Sequence, residues 1–155
     1  TGLSFVENAL LKARHASQLS GLPALADDSG LCVDALGGAP GLYSARYAGA
    51  HGDHAANIGK LLGELDGRVD SERGAFFISV IALIRHPLDP APLIAEGRWH
   101  GRILHAPRGS GGFGYDPVFL DPASGRSAAE LDASEKHRIS HRGRAVCALL
   151  AALQT

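Results

Sequence analysis

Three stretches of this chain carry residue types that can do chemistry. Ala26-Asp27-Asp28-Ser29-Gly30-Leu31 sets two adjacent carboxylates beside a hydroxyl and a glycine. Like charges at close range raise each other's pKa, so such a pair needs positive charge nearby, and a divalent cation would supply it. The same two acids could instead cap a tight turn through backbone hydrogen bonds, as Asp commonly does. Gly109-Ser110-Gly111-Gly112-Phe113-Gly114-Tyr115-Asp116-Pro117 surrounds one aromatic ring with glycines. Bare amides in such a loop can cradle phosphate, and a ring held there can stack on a planar base. The alternative is a flexible turn with Phe113 folded into the core. Lys136-His137-Arg138-Ile139-Ser140-His141-Arg142-Gly143-Arg144 contains no acid and suits a polyanionic small molecule. A solvated helix start or a short nucleic-acid patch would use the same residues, but positive charge at a helix N-terminus opposes the dipole, and a bound anion would offset that.

The elements that must position these stretches follow from local pattern. Ser4 and Glu7 have capping-box spacing, so a helix begins at Phe5, buries Phe5, Ala9, Ala13 and Ala16 with Leu10 and Leu19 beside them, and stops at Gly21. The apolar run Leu22 to Ala26 predicts a short buried strand that ends at the acidic pair, where the backbone turns; Leu31 to Leu36 predicts a second short strand. Asp53 caps a helix whose stripe is Ile58, Leu61, Leu62 and Leu65. His51 and His54 are surface residues on this reading, since no further ligand accompanies them. Ala75 to Ile84 reads as a central strand covered on both faces, Leu93 to Leu104 as one bent strand or a hairpin, and Ala145 to Leu153 as an apolar helix anchoring the basic run. Strands separated by helices predict an α/β protein with a mixed twisted sheet flanked by helices, without repeats or a domain linker.

Composition bounds the rest. With 155 residues, 45% hydrophobic and 20% charged, the chain has the size of one domain and is not built like a disordered segment. A net charge of -1 gives no global field for nucleic acid. Cys32 and Cys147 lie far apart, which fits reduced thiols in a cytosolic protein, with Cys32 packed in the core. No apolar stretch has membrane-span length and the N-terminus has no signal-peptide pattern, so a soluble intracellular protein is expected.

Taken together, Phe5-Val6-Glu7-Asn8-Ala9 with Lys12-Ala13, the run Ala26 to Leu31, Gly38-Ala39-Pro40-Gly41 with Ser44-Ala45-Arg46-Tyr47, Gly112-Phe113-Gly114-Tyr115-Asp116-Pro117 and Ser140-His141-Arg142-Gly143 resemble the bacterial inosine/xanthosine triphosphate pyrophosphatases, end to end and in family order. The resemblance implies an elongated two-lobed subunit with a central cleft, working as a cytoplasmic homodimer on purine nucleoside triphosphates, without nucleic-acid or membrane partners. It implies hydrolysis of ITP, dITP and XTP to monophosphate and pyrophosphate with Mg²⁺, which cleans the nucleotide pool. On the same likeness Asp28 is proton acceptor and metal ligand, Asp27 supports the acidic site as a further ligand, and Ser29 contacts substrate. Lys12 and Lys136 meet phosphate, Phe113, Gly114, Tyr115 and Asp116 form the base-binding loop with Phe113 stacked on the purine, and His141 and Arg142 read its oxo edge. Family members begin with a strand, a phosphate-binding loop and a metal-ligating Glu that this sequence lacks. The expectation is therefore a single domain over residues 1–155, truncated at its N-terminus, with a catalytically impaired nucleotide-binding or dimer-forming fragment as the alternative. A related pyrophosphatase for modified pyrimidines is the third reading.

Overall fold

The computed structural model describes residues 2–155. Its elements are helix α1 (Phe5–Ser20), strand β1 (Ala24–Val33), helix α2 (His54–Glu64), strands β2 (Gly74–Ile84), β3 (Leu93–Ile103), β4 (Phe119–Asp121) and β5 (Arg126–Ser127), and helices α3 (Ala133–Ile139) and α4 (His141–Leu153). The strands form one sheet in the order β1-β2-β3-β4-β5. β2 and β3 are sheet neighbours joined only by residues 85–92, too short for a parallel crossover, so they pair antiparallel. β4 pairs antiparallel with β3 (Arg102 opposite Leu120) and with β5 (Leu120 opposite Ser127). The result is a mixed α/β fold, as the pattern predicts.

Two compact units make up the chain. The first gathers the N-terminal residues up to Ser29, Ile78–Arg98 and Ile139–Thr155; the second gathers Gly30–Phe77 and Trp99–Arg138. In the first unit α1 starts where the caps place it: Ser4 Oγ accepts from the Glu7 N–H (3.3 Å), and the Gly21 N–H closes the last turn on the Ser17 carbonyl (2.8 Å). Glu7 does not complete the box at Ser4; its carboxylate accepts from the Leu3 N–H instead (2.8 Å). The buried stripe is Ala9, Ala13 and Ser17, not Ala16, and Leu19 is exposed. Ser17 is tolerated inside because its hydroxyl donates to the Leu22 carbonyl (2.6 Å). Ile81, Ala95, Ala145 and Leu149 form a core cluster between β2, β3 and α4.

The second unit is built around Phe77, Trp99 and Phe119, whose ring centroids lie 4.5 to 6.0 Å apart. Trp99 is fully buried and donates its indole N–H to Asp121 Oδ1 (3.2 Å). Burial pushes the Asp121 carboxyl up, but hydrogen bonds from Ser124, Trp99 and nearby backbone outweigh it and hold the carboxyl below its usual range. Asp53 caps α2 as expected, accepting from the Ala56 N–H (3.1 Å). Leu61 and Leu65 are buried below it, Ile58 and Leu62 half-buried, and His51 and His54 lie on the surface. Cys32 is half-buried rather than core, Cys147 is exposed, and neither forms a disulfide. Among the described residues no helix is long and apolar enough to cross a membrane.

Two sequence expectations are corrected, and one left open between a strand and a hairpin is settled as a strand. The acidic pair does not sit in a turn between two short strands: Asp27 and Asp28 lie inside β1, which runs unbroken from Ala24 to Val33, and the bend comes after it in a 3₁₀ turn over Asp34–Leu36. Asp, Ser and Gly favour turns locally, but pairing within the sheet overrides that preference. Leu93 to Ile103 is one strand, with burial alternating from Ile94 to Trp99, and not a hairpin. The last helix begins at His141 instead of Ala145, because Ser140 accepts from the Gly143 N–H (3.1 Å) and caps it. The basic run is thereby split: Lys136, His137 and Arg138 fall in the last turn of α3, where the dipole favours cations, and only the remainder opens α4.

The β2–β3 connection gives a prediction of its own. Asp89 is buried and accepts from the Arg85 N–H (2.9 Å), Arg85 Nε (3.1 Å) and Nη2 (2.9 Å) and the Ala91 N–H (2.9 Å). The Arg85 guanidinium, then these backbone donors, hold its carboxyl far below the usual range. A depressed folded pKa contributes stability that is present above the unfolded value of about 3.9 and lost as pH falls through the folded value. Asp89→Asn is therefore expected to lower the urea midpoint at pH 7, with the gap to wild type narrowing from pH 4 toward pH 2. A gap that stays constant over that range contradicts this assignment.

Candidate active site

In the first unit α1 and β1 bring Lys12 to Asp28. Lys12 flanks the buried stripe of Ala9 and Ala13, stays at the surface and donates its ammonium to Asp28 Oδ1 (3.1 Å) and to the Asp27 carbonyl (2.9 Å). Successive side chains of a strand face opposite sides, so β1 separates the two carboxylates: Asp28 is half-buried beside Lys12 and Asp27 is exposed. The first turn of α4 adds to the same unit. Arg142 donates Nη2 to Ser29 Oγ (3.3 Å), and the neighbouring His141 is buried. The structure thus joins Lys12 with Asp28 and Ser29 with Arg142 and turns the Asp27 carboxylate away from its neighbour.

In the second unit the glycine loop holds Phe113 out of the core, the residue being 55% exposed. Asp116, only 4% exposed, fixes the loop: its carboxylate accepts from the Phe113 N–H (3.0 Å) and pairs with the Lys136 ammonium. Gly112 adopts φ +67°, and a Cβ there would overlap the Asp116 carboxylate, so a glycine is required for this turn. Lys136 also lies over the Phe113 ring, 5.0 Å from its centroid. It is therefore placed with the aromatic loop. Tyr115 is buried next to Gly114 and donates its hydroxyl to the Ser44 carbonyl (2.7 Å); burial pushes its phenol well above the usual range. Ser44 in turn accepts from the Leu31 N–H (2.9 Å) and donates to the Gly41 carbonyl (2.7 Å).

One residue of this support is missed by the sequence reading. Asn57 is buried in α2, accepts from the Ala48 N–H (2.8 Å) and donates to the Ala45 carbonyl (3.1 Å). It secures the 3₁₀ segment Gly41–Arg46 on which Tyr115 hangs. The available signal was its position: a polar residue four before Leu61 and eight before Leu65, in the buried stripe.

Chemically, the first unit offers a carboxylate with a cation at hydrogen-bond distance, suited to accepting a proton from water next to an anion. Among the described residues no three His, Cys, Asp or Glu side chains converge as a metal cage. A single carboxylate still fits Mg²⁺, which is commonly bound through one or two protein carboxylates with substrate phosphates and water completing its shell. The second unit offers an exposed ring backed by a cation and a buried acid, suited to a flat heterocycle that also hydrogen-bonds.

Residues 1–152 match the model of the Ham1 family. A protein of Xanthomonas campestris pv. campestris named dITP/XTP pyrophosphatase is 64% identical over 149 residues, 96% of this chain and 75% of that protein. One of Yersinia pestis with the same name is 58% identical over 99% of this chain and 78% of its own length. Among solved structures, a HAM1 protein from Coxiella burnetii superposes with a TM-score of 0.95 at 55% identity, covering 99% of this chain and 78% of that one. The Ham1 protein of Staphylococcus aureus does so at 0.93 and 41%, with the same coverage. By sequence over nearly its whole length, and by fold, the chain belongs to the Ham1 family.

Proposed function

We propose that this protein hydrolyses dITP, ITP and XTP to the nucleoside monophosphate and pyrophosphate, clearing these purines from the nucleotide pool. The observation that carries the reading is the Lys12–Asp28 pair, a carboxylate and an ammonium 3.1 Å apart in a chain 64% identical to a dITP/XTP pyrophosphatase. Asp28 accepts the proton of the attacking water, which adds to the α-phosphorus while pyrophosphate leaves. Lys12 draws the triphosphate toward that carboxylate and balances its charge. Mg²⁺, held through Asp28, would neutralise the triphosphate and polarise it for attack. Ser29 contacts the substrate, Phe113 stacks on the purine within the loop of Gly114, Tyr115 and Asp116, and Lys136 keeps that loop in place while meeting the nucleotide. His141 and Arg142 donate to the 6-oxo group; adenine, with an amino group there, leaves those donors unpaired. On the same reading the enzyme works in the cytoplasm as a homodimer.

Incubating the protein with Mg²⁺ and a panel of triphosphates tests this. Pyrophosphate should be released from ITP, dITP and XTP with kcat/KM about a hundredfold or more above that for ATP. Equal rates on ATP, a preference for modified pyrimidines, or tight ITP binding with no pyrophosphate would each refute it, the last pointing to a nucleotide-binding module without catalysis.

A further inference from the structure

The first turn of α4 lies against β3 at one bare position. Gly97 is buried in β3, and a Cβ built on it would overlap the His141 carbonyl oxygen and the Ala145 amide nitrogen and come within 2.9 Å of the Arg144 carbonyl carbon. All three are backbone atoms of α4, which cannot swing aside as a flexible side chain would. Next to it the Arg98 carbonyl accepts from Arg144 Nη1 (2.9 Å), fastening the turn to the strand. Below it Ala95 packs on Ala145 and Leu149, and the buried residues of α4 are His141, Gly143, Ala145 and Leu149. Small residues on both elements let strand and helix approach closely. The backbone that meets Gly97 is the backbone that carries His141 and Arg142, and Arg142 reaches back to Ser29.

We infer that Gly97 is a specificity-setting positioning residue: its missing side chain fixes the depth at which the first turn of α4 sits on β3, and so where His141 and Arg142 meet the purine. The inference rests on the proposed function, since it assigns base reading to those two residues. A methyl group there must push the turn outward, and a shift of that kind in a hydrogen-bonding group falls on discrimination between 6-oxo and 6-amino bases before it falls on the hydrolytic step at Asp28.

The test compares wild type, Gly97→Ala and Arg144→Ala for kcat and KM on ITP and ATP with Mg²⁺, with amide exchange of residues 141–145 read alongside. In Gly97→Ala the ITP-to-ATP ratio of kcat/KM should fall about tenfold, mainly through a higher KM for ITP, with kcat within about threefold of wild type and faster exchange confined to the first turn of α4. Arg144→Ala loosens the same seat from its exposed side and should lower the ratio about threefold, which keeps the inference exposed to failure if Gly97→Ala does not fold. A folded Gly97→Ala with an unchanged ratio, or an Arg144→Ala indistinguishable from wild type when Gly97→Ala does not fold, overturns it. Wild-type protein without ITP turnover would instead overturn the proposed function, and this inference with it.

Discussion

Asp28→Asn should lower pyrophosphate release from ITP by about a thousandfold, close to 4 kcal/mol of transition-state stabilisation, while leaving the fold intact. Asn keeps the shape of the side chain and an oxygen that can accept from Lys12, so what it removes is the negative charge and the basicity. If Asp28 takes the proton of the attacking water, that loss falls on kcat. The stability cost is small, because Lys12 is more than half exposed in this pair and such ion pairs are worth about 1 kcal/mol or less. Asp27→Asn separates the two acids. Their side chains leave opposite faces of β1, so the second substitution is expected to cost about tenfold at most. Steady-state kinetics on ITP, with a urea midpoint for each variant, would decide; an Asp28→Asn rate within threefold of wild type, or equal losses from both variants, is incompatible with the assignment.

What could be seen in the sequence was what local chemistry determines. Ser4 and Gly21 bound α1, Asp53 opens α2, and the near-continuous apolar run of β2 needed only its own residue types to be recognised. The motifs holding Asp28, Phe113 and Arg142 could be identified because each keeps several unusual residues within a few positions. Relations that depend on the sheet were hidden. Gly30 after two Asp residues suggests a turn until a strand on β1's inner side pairs with it, and that pairing is what sends Asp27 and Asp28 to opposite faces. The basic run is continuous in composition, but the cap at Ser140 divides it between two helices. The contacts of Gly97 depend on backbone more than forty positions away.

Arg73→Met is expected to destabilise the fold more than Asp28→Asn, Asp27→Asn or Asp89→Asn. Arg73 stands in the charged run Asp70-Ser71-Glu72-Arg73, which by composition is a solvated surface, yet it is 2% exposed. Its guanidinium donates Nε to the Ile103 carbonyl (2.8 Å), Nη1 to the carbonyls of Leu65 (2.9 Å) and Arg68 (3.4 Å), and Nη2 to that of Leu104 (2.9 Å). Leu65 is the C-cap of α2 and Ile103 ends β3, so one side chain neutralises the negative end of a helix and ties it to a strand of the second unit. Burial alone lowers the guanidinium's pKa, but not enough to discharge a group this basic, and the four carbonyls take the place of the water it has lost. Methionine fills similar length without a donor, so the Ile103, Arg68 and Leu104 carbonyls lose this partner while the Leu65 carbonyl keeps the Arg68 N–H (3.1 Å), at a cost of about 3 kcal/mol. Lysine keeps the charge but not the planar fork and should fall between. Trp99, the chain's one tryptophan, is buried in the same unit and reports the transition by fluorescence during urea unfolding. A Met variant within about 0.5 kcal/mol of wild type would mean that the carbonyls find water or relax toward one another, and that the buried cation is not what holds α2 to the end of β3.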